Sequence, residues 1–171
     1  MRKKGVKFAA GMLALMMMAG VFISRPIMLD AADIQSEETW IPVEYQEYCE
    51  EIGAKYGLSP ELLIAVIEKE SSGQPQVYNK NCKGLMQINE PYHRDRMKKL
   101  GVTNIYDPYG NIMLGADYLQ QLFVMYQDPG TVLMVYNGSS KAVRRGLNAD
   151  YTEYADSILK RTALLEKIHG K

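Results

Sequence analysis

Glu70 has the clearest chemical potential in this sequence, because its place in a helical repeat predicts a buried carboxyl group. Leu63, Val66, Ile67 and Glu70 stand at positions i, i+3, i+4 and i+7, which share one face of an α-helix. Burying an unpaired carboxylate is so costly that the group instead holds its proton to higher pH. The repeat therefore predicts a carboxyl group with a raised pKa, which suits a general acid.

The helix that would carry Glu70 has a recognisable start and stop. Ser59 suits the N-cap, Pro60 the first helical position, and Glu61 the positive end of the helix dipole. Residues 71–73, Ser-Ser-Gly, are expected to end the helix just beyond Glu70. The negative end of the dipole would then lie beside the carboxyl group and raise its pKa further.

The amino-terminal segment predicts export. Four basic residues precede an uncharged run from 8 to 23, as in a signal peptide or a signal anchor. The run is short for a membrane span of roughly 20 residues, yet no clear cleavage site follows it, so both alternatives stay open. We predict this segment over 1–24, a linker over 25–42 and one domain over 43–171. If the segment is not cleaved, the membrane is a partner of this chain.

Composition narrows the function classes. Of the 20 basic residues in the 171-residue chain, four belong to the amino-terminal segment, and the remaining 16 face 20 acidic residues. This mildly acidic balance argues against a nucleic-acid partner, which usually requires a basic stripe. The sequence contains two cysteines, Cys49 and Cys82, and it does not decide whether they form one disulfide or stay as two free thiols. No cluster of Cys and His predicts a metal site, and we expect no cofactor.

The domain is almost entirely helical in pattern, and strand signals are nearly absent. One long irregular stretch covers residues 73–89, and long ordered loops in compact domains are often functional. We expect an all-α domain. Capping residues and apolar periodicity predict helices at roughly 43–56, 59–72, 90–100, 108–126, 130–137 and 150–168.

Five short motifs follow one another between about residues 45 and 160. In this order and approximate spacing they resemble the catalytic domain of the soluble lytic transglycosylase family, relatives of goose-type lysozyme. The resemblance implies a lysozyme-like domain with a cleft for the glycan strands of peptidoglycan. The motifs are Glu-Ser-Ser at 70–72, Gly-Leu-Met-Gln-Ile at 84–88, Asn-Ile-x-x-Gly-x-x-Tyr-Leu at 111–119, Tyr-Asn-Gly at 136–138, and Tyr-x-x-x-Ile-Leu at 154–159.

The resemblance also implies a reaction that needs only one carboxyl group. In this family the glutamate at the position of Glu70 protonates the glycosidic oxygen between N-acetylmuramic acid and N-acetylglucosamine. As a base, it then takes the proton of the muramic C6 hydroxyl, which closes a 1,6-anhydro ring. Ordinary glycosidases need a second carboxylate, and Glu68, Asp95, Asp107 and Asp117 lack a comparable burial pattern. A hydrolytic muramidase and a non-catalytic wall-binding module remain as alternatives.

Two motif residues are implied to approach Glu70. Tyr136 resembles the family tyrosine that reaches toward the glutamate, and a core aromatic residue is the alternative. Tyr154 resembles the tyrosine of the last helix that packs over the glutamate. Asn137 adjoins Tyr136 and is expected to shape the turn more than to bind sugar.

The loop before the catalytic cleft offers further candidates for substrate contacts. Gln87 either lines the cleft or satisfies backbone groups of its own loop, and Met86 is expected to form part of the wall. Asn79 stands where the family has a cleft serine and is a candidate contact. The loop is one residue shorter than in better-known members, and Cys82 and Lys83 replace small residues. These departures leave the loop contacts less defined than Glu70.

Overall fold

The computed structural model describes residues 38–138 and 150–171. In these ranges the chain is mainly helical, as predicted. The helices are α1 (Val43–Tyr56), α2 (Pro60–Ser71), α3 (Glu90–Leu100), α4 (Pro108–Tyr126), α5 (Pro129–Tyr136) and α6 (Glu153–Ile168), and the strands are β1 (Tyr78–Asn79), β2 (Cys82–Lys83) and β3 (Ile88–Asn89).

The predicted helix positions are confirmed to within a few residues, because most of their ends have local causes. Ser59, Asp107 and Asp128 accept backbone N–H bonds as N-caps of α2, α4 and α5, each followed by proline. The last helix begins at Glu153 rather than near residue 150, because Thr152 is its N-cap. Local capping chemistry therefore accounts for these boundaries.

A small antiparallel sheet within the predicted irregular stretch is the main feature that the sequence pattern did not reveal. Its strands pair in the order β1, β2, β3. Lys80 and Gln87 have left-handed backbone angles, with φ of 57° and 47°, and so reverse the chain between strands. Strands of two residues are too short to produce a detectable alternation, which is why the pattern missed them.

Helix α2 lies at the centre of the domain. It contacts α1 and α6, while α4 contacts α1 and α5. All side chains from Leu62 to Ile67 are at most 6% exposed. Burying each large aliphatic side chain contributes about 1.5–3 kcal/mol, so the core fixes the helix that ends at Glu70.

The amino-terminal predictions lie partly outside the described residues. The signal segment 1–24 and most of the linker 25–42 belong to that part. At the end of the linker, residues 39–41 lie against the domain, and Ile41 is only 2% exposed. No helix among the residues the structure describes is long and apolar enough to span a membrane.

The start of α2 is held by a buried ion-pair cluster around Glu61, which is 1% exposed. Lys171 Nζ donates to its carboxylate at 2.6 Å, His169 Nδ1 lies 2.9 Å away, and Ser59 Oγ donates at 2.8 Å. Burial raises the pKa of Glu61, but these hydrogen bonds outweigh that effect and lower it to about 2. The carboxylate therefore joins α2 to the residues that follow α6.

We expect this cluster to make stability depend on pH in the acid range. A lowered pKa in the folded state gives stability that is present above pH 4.5 and is lost as the pH falls toward 2. Glu61→Gln should lower the free energy of unfolding by roughly 2 kcal/mol near pH 6, with the difference shrinking below pH ~4.5. Urea unfolding of both proteins between pH 2 and 6 measures it, and a difference independent of pH would contradict the assignment.

Candidate active site

Glu70 occupies the last turn of α2, one residue before the helix ends at Ser71. Its side chain is partly buried, and Tyr154 Oη donates a hydrogen bond to Oε1. Burial raises the pKa of Glu70, while the Tyr154 hydrogen bond and the charge of Lys69 oppose this rise. The raised pKa predicted from the helical repeat is thus confirmed in direction.

Tyr154 stands in the first turn of α6, which packs against α2. Burial and then the charge of Glu70 raise its pKa, so the phenol keeps its proton and acts as a donor. The side chain of Asn137 lies next to the same hydroxyl group and lowers its pKa in part. The resemblance implied packing over the glutamate as the default role of Tyr154, with substrate contact as a further candidate role, and the structure adds a direct hydrogen bond to the carboxyl group.

Tyr136 lies near Glu70 but bonds elsewhere. Its hydroxyl donates to the carbonyl of Met86 at 2.8 Å, and its ring lies 5.4 Å from that of Tyr118. Burial and then the charge of Glu70 raise its pKa well above the ordinary value. The structure therefore joins Tyr136 to the loop backbone, and Tyr154 takes the hydrogen bond to the carboxyl group.

Asn111, at the start of α4, anchors the loop that carries Met86. It is fully buried, its Oδ1 accepts the Met86 N–H at 2.8 Å, and its Nδ2 donates to the carbonyls of Lys83 and Ile105 at 3.0 and 2.8 Å. Gly84 is required beside it, because a Cβ there would collide with the Asn111 amide. Sequence reasoning placed Asn111 in a motif but assigned it no role.

Met86 and Gln87 both serve the loop. Met86 is fully buried, and a Cβ on Gly115 would collide with its side chain, so Met86 lies beneath the site rather than on its surface. Gln87 Nε2 donates to the carbonyls of Val77 and Gly84 at 3.1 and 2.9 Å. Of the two roles expected for Gln87, the structure thus contains the hydrogen bonding to backbone groups of its own loop.

One face of the small sheet is directed toward Glu70. The register pairs Asn79 with Cys82 and Cys82 with Asn89, so these three side chains share a face. Burial and then the charge of Glu70 raise the pKa of the Cys82 thiol. Asn79 is exposed, and the buried Oδ1 of Asn89 has no hydrogen-bond partner among the described residues. The row forms a polar wall beside the carboxyl group, with one free acceptor.

The other carboxylates considered from the sequence are mostly engaged elsewhere. Glu68 accepts hydrogen bonds from Arg161, Asp107 caps α4 through the Gly110 N–H, and Asp117 pairs with Arg96. Asp95 is exposed on α3. Among the described residues, no second carboxylate is a hydrogen-bond partner of Glu70 or of Tyr154.

Cys49 and Cys82 are both free thiols. Cys49 is buried, whereas Cys82 belongs to the polar wall beside Glu70. Within 38–138 and 150–171, no three residues among His, Cys, Asp and Glu are grouped to hold a metal ion. Within the described residues, the site comprises Glu70, its donor Tyr154 and the polar wall of Asn79, Cys82 and Asn89.

Removing the Tyr154 hydroxyl should change the titration of Glu70. The Tyr154 hydrogen bond lowers the pKa of that carboxyl group, so Tyr154→Phe should raise the pKa and Glu70 should hold its proton to higher pH. A ¹³C NMR titration of labelled glutamate carboxyl groups, assigned by difference with Glu70→Gln, measures the shift. Tyr151→Phe removes a hydroxyl that bonds Asp128 at 2.7 Å and is the matched control. An unchanged or lower Glu70 pKa in Tyr154→Phe would contradict the assigned hydrogen bond.

A family model described as "Transglycosylase SLT domain" matches residues 47–158 of this chain. The chain belongs to the transglycosylase SLT domain family. The match spans Glu70, the Gly84–Gln87 loop, Tyr136 and Tyr154, and so contains every contact to the carboxyl group described above. The resemblance drawn from the motifs is therefore confirmed at the level of the family.

Curated relatives of this SLT domain chain include a "Transglycosylase" of Enterobacteria phage PRD1, 36% identical over 123 residues, which cover 70% of this chain and 44% of the relative. An "Endo-type membrane-bound lytic murein transglycosylase A" of Klebsiella pneumoniae strain 342 is 30% identical over 135 residues, covering 70% of this chain and 64% of the relative. The chain thus spans less than two thirds of the length of either relative.

A solved structure with the same fold is "Lytic Transglycosylase Slt inactive mutant E503Q" from Pseudomonas aeruginosa. It superposes with a TM-score of 0.64 at 18% identity, covering 76% of this chain and 25% of that one. At this identity the likeness concerns the fold. The lysozyme-like all-α architecture expected from the motifs is thereby confirmed for the SLT domain.

Proposed function

We propose that this protein is a peptidoglycan lytic transglycosylase that cleaves the β-1,4 bond between N-acetylmuramic acid and N-acetylglucosamine without water. The observation that carries the proposal is Glu70, a carboxyl group of raised pKa at the end of α2 with a tyrosine donor on Oε1. Family membership supports the same activity. The names of the two relatives agree with it.

Glu70 would act first as the acid. Its raised pKa favours the protonated carboxyl group, which gives this proton to the glycosidic oxygen as the bond from C1 breaks. The acetamido group of the substrate assists the departure. Tyr154 occupies Oε1, so Oε2 is the oxygen left for the substrate.

Glu70 would then act as the base. The carboxylate takes the proton of the muramic C6 hydroxyl, whose oxygen forms the new bond to C1 and closes the 1,6-anhydro ring. The carboxyl group ends protonated, as it began, and no water is consumed. An ordinary glycosidase needs a second carboxylate about 5–10 Å from the first, and the engagement of Glu68, Asp107 and Asp117 elsewhere favours the water-free route.

Substrate contacts would come from the polar wall and the two tyrosines. We propose Asn79, the exposed member of this wall, as a partner for sugar hydroxyl or acetamido groups. Asn137 is exposed beside Tyr154 and is a second candidate, while Gln87 and Tyr136 shape the loop that bounds the cleft. Met86 supports that loop from below.

We further propose that the enzyme acts outside the cytoplasm, in the cell envelope. The basic and apolar residues of 1–24 support export, and peptidoglycan lies outside the cytoplasmic membrane. The name of the Klebsiella relative contains the word "membrane-bound". Either a cleaved signal or a retained anchor agrees with this location.

Mass spectrometry of the fragments that the full chain releases from purified peptidoglycan tests the activity. The reaction is run in water enriched in ¹⁸O, with Glu70→Gln as the blank. We expect muropeptides that lack one water at the muramic end and contain no ¹⁸O. Reducing ends that contain ¹⁸O would identify a muramidase, and no release above the blank would favour a wall-binding module.

A further inference from the structure

Glu68 is a buried carboxylate two residues before Glu70, and the apolar repeat gives no reason for its burial. It is 6% exposed. Arg161 Nε donates to Oε2 at 2.6 Å and Nη2 to Oε1 at 2.9 Å, while Thr39 Oγ1 donates to Oε1 at 2.6 Å. Because both oxygens are engaged, the last turn of α2 is bound at residue 68 to α6 and to the chain before α1.

The same amino-terminal segment contacts the end of α2 a second time, at Gly73. Ile41 is 2% exposed, and a Cβ on Gly73 would lie 2.9 Å from Ile41 Cδ1, so the side chain of Ile41 packs directly on this turn. Thr39 Oγ1 accepts the Ile41 N–H at 3.2 Å, and Gln46 Nε2 donates to the Ile41 carbonyl at 2.6 Å. Residues 39–41 therefore contact the end of α2 at two places, Glu68 before Glu70 and Gly73 after it.

Trp40 lies next to this ion pair, and the residue is 56% exposed. The guanidinium of Arg161 lies 5.5 Å from the centre of the indole ring. An aromatic face over an arginine adds a cation–π attraction. Trp40 thus adds a contact between residues 39–41 and the arginine that holds Glu68.

We propose that Thr39, Ile41, Glu68 and Arg161 form a clamp that positions Glu70 for catalysis, an inference that rests on the proposed function. The clamp holds residues 68 and 73, and Glu70 lies between them on a helix terminus that would otherwise fray. A displacement of about 1 Å can lower catalytic rates by as much as about 100-fold. Thr39 and Ile41 precede residues 47–158, which the family model matches. Under this proposal, catalysis therefore depends on residues 39–41 as well as on the matched domain.

Thr39 allows a sharp test in the full chain. Thr39→Val removes the hydroxyl at nearly constant volume, and Thr39→Ser keeps it. We expect Thr39→Val to lower kcat on soluble glycan strands about tenfold at an unchanged KM, and Thr39→Ser to stay within about twofold of the wild type. Thr103→Val, at an exposed position, is the matched control.

Arg161→Lys tests the same clamp from α6. Lysine keeps the positive charge but cannot form the two-pronged hydrogen bond to Glu68, so kcat should fall about tenfold or more. Arg94→Lys, at an exposed position of α3, is the control. Circular dichroism on the same samples gives the folded fraction at the assay temperature.

The outcomes separate the clamp from the function on which it rests. Lower kcat per folded molecule in Thr39→Val and Arg161→Lys, with recovery in Thr39→Ser, supports the clamp. Unchanged kcat per folded molecule, with only the unfolding temperature lowered, means a purely structural role and overturns it. If the wild type itself releases no anhydro product, the proposed function fails first.

Discussion

Glu70→Gln should lower the release of soluble muropeptides about 1,000-fold or more and leave the fold intact. The amide has nearly the shape of the carboxyl group and still accepts the Tyr154 hydrogen bond, but it can neither give nor take the proton. Because Glu70 would serve both as acid and as base, both half-reactions stop together. Product release by mass spectrometry and thermal unfolding of the same samples measure the two effects.

Glu47→Gln is the matched control for this prediction, since it makes the same chemical change at an exposed position of α1. It should release product at the wild-type rate. Retained release in a folded Glu70→Gln protein would remove Glu70 from the mechanism and with it the proposed function.

Asn111→Leu should cause the largest loss of stability among the substitutions considered. The amide satisfies the Met86 N–H and the carbonyls of Lys83 and Ile105, and leucine of similar size leaves all three buried groups unpaired with little room for water. At about 1–3 kcal/mol for each group, we expect the free energy of unfolding to fall by about 4 kcal/mol. Urea unfolding measures this change.

The Asn111→Leu substitution should also lower the activity of each folded molecule. The loop that Asn111 anchors contains the Met86 carbonyl, which accepts the Tyr136 hydrogen bond. Asn104→Ala is the control, since Asn104 makes one exposed hydrogen bond to the Tyr106 N–H. It should cost less than about 1 kcal/mol. Similar losses in the two variants would show that Asn111 does not anchor the loop.

The helices and the acid could be predicted because their signals are local. Ser59, Pro60 and the Ser-Ser-Gly turn lie within a few residues of the helix ends that they determine. The repeat that buries Leu63 and Ile67 also carries Glu70 toward the core. Such patterns depend on neighbours along the chain, so they are readable without the fold.

The partners of the acid could not be predicted in the same way. The motifs identified Tyr136 and Tyr154 together, but only the packing of α6 against α2 shows that Tyr154 donates to Glu70, across 84 residues of sequence. Likewise the two-residue strands that align Asn79, Cys82 and Asn89 have no periodicity to detect. The geometry around the carboxyl group is a property of the assembled domain.

By itself, the sequence determined an α-rich domain, the helix ending at Glu70, the raised pKa of that carboxyl group and, through ordered motifs, the family. Only the tertiary structure shows that Glu68 is buried and paired, because no local sequence pattern predicts its burial. Its partners Arg161 and Thr39 lie 93 and 29 residues away, and a charge can be buried only where distant donors converge on it. Local patterns record which face of a helix is apolar, whereas hydrogen bonds between distant elements exist only after those faces have packed.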